Sequence, residues 1–135
     1  MMRFLSIPLN VVVLAAYNLM TFIGLRQDYP PTTVMTHLNL GAGSVPIPIT
    51  WNTLFILGAV FVLFVEIFRA TRTTDSSLAN HLLSFVVFLG FLVELLMVNQ
   101  LQNPTFLVLT SLALIDVLGG FTVSFKGAKR DIGLT

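Results

Sequence analysis

Three carboxylates stand where carboxylates are expensive. Glu66, Glu94 and Asp116 each fall on or within a long apolar run, the last of them in FLVLTSLALIDVLGGFTVSF, residues 106–125. An ionisable group inside hydrocarbon marks a proton relay, an ion path or a hydrogen bond between helices, and its depth decides which. Asp116 lies about eleven residues from one end of its run and nine from the other, too deep at about 1.5 Å per residue to reach either surface. Ionised and facing lipid it would cost about 2.5–3.5 kcal/mol on insertion scales. It is therefore expected to face other helices, neutral, and to donate a hydrogen bond across them, Asn10, Tyr17 and Asn18 of the first apolar run being the candidate partners. Ala113 and Gly120 flank it at i−3 and i+4, a small-residue face suited to close helix approach.

The other two acids are shallower. Glu66 precedes Arg69 by three residues, so the two side chains share a helix face. With Arg72 and His81 they form either an interfacial ion-pair cluster or a proton entry point, histidine being the relay that titrates near neutrality. Glu94 lies about one turn inside its run, where Asn99, Gln100 or water could solvate it, and Gly90 one turn earlier leaves room for a neighbouring helix. Glu94 and Asp116 differ in depth by about 10 Å, which argues against a paired-carboxylate site. His37 and His81 fall at opposite ends of the expected topology and cannot share a metal. There is no phosphate loop, no H-E-x-x-H, no G-x-S-x-G and no cysteine, so disulfides, thiolate metal sites and cysteine nucleophiles are excluded. No catalytic constellation and no cofactor site is visible; the chain reads as a non-enzyme.

The elements that must position these groups follow from composition. Of 135 residues, 56% are hydrophobic and 10% charged, against about 25% charged in an ordinary soluble domain. The apolar residues gather into runs at 4–25, 51–68, 78–98 and 105–125, each near the roughly 20 residues that cross a bilayer. The expectation is an all-α membrane protein, a four-transmembrane-helix bundle filling 1–135 as one domain, with an outer loop at 26–50 and a tail at 126–135. The first run is longer than a signal-peptide core and no small-x-small site closes it, so it reads as a retained helix. Arg3, Arg69, Arg72, Lys126, Lys129 and Arg130 would lie on one side and only Arg26 on the other. That bias puts both termini in the cytoplasm, and the basic tail suits anionic headgroups while being too short for nucleic acid.

Local signals refine this picture. Asn10, Tyr17 and Thr21 fall on one stripe of the first helix, with Asn18 at its border, and Pro8 belongs to the first turns. TTVMTHLNL, GAGS and VPIPITW predict two strands around a Gly-rich turn, a short outer β-hairpin whose prolines confine it to an edge. Thr50 can cap the second helix, with Trp51 at the interface. Asp75, Ser76 or Ser77 can cap the third. Asn103-Pro104 starts the fourth, and Gly127 is the expected stop. Short connections make the last three helices antiparallel neighbours.

FVEIFRATRTT, NHLLSFVVFLGFLVELLMV and FLVLTSLALIDVLGGFTVSFKGAKRDIG together resemble a family of small four-helix inner-membrane proteins of alphaproteobacteria that has no assigned activity. The likeness covers roughly residues 32–133. It rests on the hairpin leading into a Trp-started helix, on Glu66, Arg69, Ala70, Thr71 and Arg72, on Glu94, and on Ile115-Asp116. The resemblance implies this architecture and a bacterial inner membrane, and no reaction. Two functions fit these residues. One is an accessory or scaffolding subunit that docks on a membrane-protein partner or on further copies of itself. The alternative is a small oligomeric transporter or proton-coupled channel, with Asp116, Glu94 and the first-helix amides lining the path.

Overall fold

The computed structural model describes residues 7–26, 30–72 and 77–133. Arg3, the first residues of the 4–25 run and the candidate caps Asp75 and Ser76 lie outside them, as does the side chain of Ser77. The chain is mostly helical. Its elements run α1 (Asn10–Arg26), β1 (Val34–Leu38), β2 (Ile47–Thr50), α2 (Trp51–Ala70), α3 (Ser77–Met97), a 3₁₀ turn (Asn99–Leu101) and α4 (Pro104–Asp131). Three of the helices, α2, α3 and α4, are long and apolar enough to cross a membrane. α1 is shorter, 17 residues, or about 25 Å.

Capping residues set the boundaries. Thr50, extended at φ −102°, accepts from the Thr53 amide, and Thr53 returns the bond to the Thr50 backbone; this box starts α2 where the strand ends. Asn103 accepts from the Phe106 amide ahead of Pro104, which removes a donor that had no partner in the helix. Two expected ends differ. α1 begins after Pro8, whose carbonyl accepts from Val11, instead of enclosing the proline. α4 runs straight through Gly127 to Asp131. A helical glycine costs only about 1 kcal/mol, and Lys129 and Arg130 favour the last turn electrostatically. The left-handed stop falls at Gly133, φ 65°, so most of the expected tail is helix.

β1 and β2 pair antiparallel, with Thr36 opposite Ile49, His37 opposite Pro48 and Leu38 opposite Ile47, and the register breaks between Val34 and Thr36. Gly41 and Gly43 take the positive φ the connection needs. The hairpin lies between α1 and α2, and the Asn52 amide donates to Pro31 (3.0 Å), fastening its base to the helix start.

α4 is the hub. It packs along both α2 and α3, which barely meet each other among the described residues. The expectation of three consecutive antiparallel neighbours is therefore corrected: α2 and α4 are parallel partners. Within their apolar windows 39% of α4 is buried, against 6% of α2 and 11% of α3. Phe106, Leu109 and Ala113 of α4 cluster with Phe91 of α3, Ala59 of α2 and Val13 and Tyr17 of α1, and Val117 continues the buried stripe of α4. Tyr17 stands edge-on to Phe55 at 5.2 Å, and Phe91 lies 5.5 Å from Phe106 between ring centres. Helix levels follow from close approaches. A Cβ on Gly119 would touch Ile67 at 3.5 Å, and one on Gly120 would meet His81. With its 28 residues against 20 in α2, α4 continues past the end of α2 by about two turns.

Candidate functional site: a charged cavity at the basic end

The polar stripe of α1 faces protein: Asn10, Tyr17 and Thr21 are all buried. Each amide or hydroxyl that bonds from it goes to a different place. Asn10 Nδ2 donates to Asp116 Oδ2 on α4 at 3.0 Å. Tyr17 Oη donates toward Asn52 Oδ1 (3.1 Å) on α2 and Asn103 Oδ1 (3.2 Å) at the head of α4, which share its single proton. Asn18 Nδ2 donates to Glu94 Oε2 on α3 at 2.6 Å, and to the Leu14 carbonyl. One helix is thus tied to all three others at two levels, by Asn10 and, about two turns on, by Tyr17 and Asn18.

This arrangement divides the expected intramembrane group of Asp116, Glu94, Asn18, Tyr17 and Asn10. Asn10 alone reaches Asp116, and there the amide donates while the carboxyl accepts, the reverse of the expected direction. Tyr17 and Asn18 sit about two turns further along α1, out of reach. Glu94 is held by Asn18 in place of Asn99 or Gln100. Phe91 of α3 and Leu109 and Ala113 of α4, which fall along their helices between the levels of Glu94 and Asp116, are buried and packed, and Phe106 adjoins them beside Tyr17.

The residues expected as a separate interfacial cluster join Asp116 instead. A cavity of about 360 Å³ opens at the basic end of the bundle. Glu66, Arg69 and Arg72 line it from α2; Asn80, His81 and Ser84 from α3; Asp116 and Gly120 from α4; Ile7 and Pro8 close it beside α1. Arg69 Nη1 lies 3.5 Å from Glu66 Oε1, the expected i, i+3 pair. The same carboxyl oxygen accepts from the Leu9 amide, so Glu66 also caps the free backbone donors where α1 begins. Arg72 lies over the Phe68 ring, 4.7 Å from its centre. His81 does not join the Glu66–Arg69 pair. Its Nε2 shares a hydrogen bond with Ser124 Oγ, and its ring occupies the space that Gly120 leaves.

Asp116 meets these groups because of helix register. Counted along α4 it is deep, but α4 overruns α2, so residue 116 stands nearly level with the last turns of α2. The residues that complete the site without having been singled out are Ser84, Asn80 and Ser124. Small polar residues near helix ends carry no sequence signal of their own, and only the register brings them in. Among the described residues no three histidine or carboxylate groups are placed to hold a metal ion. Chemically the cavity offers two carboxylates inside and two guanidinium groups toward its mouth, a lining that can hold opposite charges at once.

Compared with known proteins, the chain matches no family model, no curated relative and no solved structure.

Proposed function

We propose that this chain is an integral membrane protein whose four helices cross the bilayer, and that it works as an accessory or scaffolding subunit. The observation that carries the reading is the division of its side chains. Asn10, Tyr17 and Asn18 of α1 are spent on bonds to α2, α3 and α4, while α2 and α3 turn large apolar residues outward. Leu57, Phe61 and Phe64 on α2 and Val86, Val93 and Leu96 on α3 are all more than half exposed. Soluble monomers seldom expose an apolar patch beyond a few hundred Å². Such faces suit acyl chains or the helices of a partner.

Charge supports an orientation. Arg69, Arg72, Lys126, Lys129 and Arg130 gather at one end and Arg26 at the other, which favours the basic end in the cytoplasm and the hairpin outside. The 17 residues of α1 are at the short limit of roughly 17–25 for a spanning helix. The family resemblance favours a bacterial inner membrane, and the outward apolar faces favour a second membrane protein or another copy of this chain as the partner. Purification of the tagged chain in gentle detergent at native abundance tests the reading. Recovery in a larger assembly supports it; recovery solely as free monomer contradicts it.

The cavity favours a second reading, a proton-coupled carrier, since it brings Asp116 within reach of the basic end. The packed layer of Phe91, Phe106 and Leu109 closes the way within one chain, so a path to Glu94 would run between copies. Vesicles loaded with purified protein should then dissipate a pH gradient, and Asp116→Asn should abolish it. Silence at high protein loading removes this reading.

A further inference from the structure

The cavity at the basic end has a charge order that selects a ligand. Glu66 and Asp116 are its acids; Asn10 donates to one oxygen of Asp116, and the carboxyl lines the cavity beside Ser84. Arg69 and Arg72 come from the last turn of α2 and just beyond it, nearer the mouth. Asp116 is 6% exposed and lines this cavity, so a cation seated there can meet it. At about 360 Å³ the space is within the range of small-molecule sites.

We propose that this cavity binds a phosphoethanolamine group, the ammonium directed at Glu66 and Asp116 and the phosphate at Arg69 and Arg72. A primary ammonium brings three N–H donors, matching two carboxylates that face a confined space. Guanidinium groups grip phosphate oxygens in a planar fork, and such charge-assisted bonds are about twice as strong as neutral ones. The two-carbon spacing of this headgroup places a cation inward while its phosphate stays at the rim. A choline headgroup has no N–H to donate and is bulkier; a glycerol headgroup has no cation for the acids. Ile7, Pro8 and Ala70 provide apolar wall where the glycerol backbone of a lipid would begin, and Phe68 lies exposed beside the mouth. The proposal rests on the membrane reading above, because a lipid reaches this cavity only if the basic end sits at headgroup level.

The test uses the full chain in phosphatidylglycerol vesicles carrying equal amounts of phosphatidylethanolamine and phosphatidylcholine, followed by detergent extraction and native mass spectrometry of retained lipid. Phosphatidylethanolamine should be retained over phosphatidylcholine by about tenfold or more, the worth of one charge-assisted bond. Glu66→Gln should bring that ratio near unity. Arg72→Gln, at an exposed position, should weaken retention of both lipids while keeping the ratio, and it remains informative if Glu66→Gln fails to fold. Adding free phosphoethanolamine separates the sources: displacement of the lipid assigns the site to the soluble compound, and persistence assigns it to the headgroup. Equal retention of the two lipids by the wild type, or a ratio that Glu66→Gln leaves unchanged, overturns the proposal. A chain that enters vesicles without amine preference contradicts this site alone, whereas a chain that stays out of the bilayer contradicts the membrane reading.

Discussion

Replacing Gly120 by alanine should destabilise the protein through one identifiable contact. The new Cβ would stand 2.5 Å from Nδ1 and 2.7 Å from Cε1 of His81, far inside van der Waals distance. The imidazole must move, and it is held by its bond to Ser124 and by Phe121, whose ring centre is 5.6 Å away. Overpacking of this kind costs about 1–3 kcal/mol, and losing the Ser124 bond adds about 0.5–1.5 kcal/mol. The gain in helix propensity from glycine to alanine returns about 1 kcal/mol, so a net loss of about 0.5–3.5 kcal/mol is expected. Two other glycines serve as controls. Gly119→Ala meets only Ile67, at 3.5 Å, and Gly58→Ala meets nothing within 4 Å; both should be neutral or slightly stabilising. Unfolding can be followed in mixed micelles by the fluorescence of Trp51, the single tryptophan of the chain. Adding His81→Ala should relieve most of the Gly120→Ala penalty. The reasoning fails if Gly120→Ala is as stable as wild type, or if removing the imidazole leaves its penalty intact.

Tyr17→Phe keeps the packing on Phe55 and Phe106 and deletes the hydroxyl shared by Asn52 and Asn103. It should cost about 1–2 kcal/mol by the same titration, and an unchanged midpoint would remove this bond from the account. Asn18→Ala and Glu94→Gln should couple by about 0.6 kcal/mol in a double-mutant cycle, the typical value for hydrogen bonds between membrane helices; additive effects would show that the 2.6 Å contact is not a working bond. Asn103→Ala should lose about 1 kcal/mol from its cap alone and more through Tyr17, so it should exceed Tyr17→Phe; the reverse order would separate the two roles.

Much of this architecture can be read from residue order, and the reasons are local. Thr50 before an apolar run and Asn103 before proline mark helix starts by the bonds their side chains can make. The Gly-rich turn between two β-prone stretches marks the hairpin. The spacing of Asn10, Tyr17 and Thr21 marks the buried side of α1. Interhelix register is another matter. Nothing along α4 says that Asp116 comes level with Glu66, because that depends on how far α4 overruns α2, and Gly127 reads as a stop. Helices apolar on every side carry little periodic signal of which neighbour they meet, so the central place of α4 was hidden as well. Asn52 carries no signal of its own in the sequence; its use, on Tyr17, depends on a residue 35 positions away.

The most direct test of the central claim exploits the absence of cysteine. Single cysteines placed at Ser44 in the hairpin, at Thr71 beyond α2 and at Lys129 in the last turn of α4 can be labelled by a membrane-impermeant thiol reagent, in sealed cells and after lysis. A four-span bundle predicts that Ser44→Cys reacts from outside, and that Thr71→Cys and Lys129→Cys react only once the membrane is opened. Labelling of Ser44→Cys and Lys129→Cys from the same side would contradict the account.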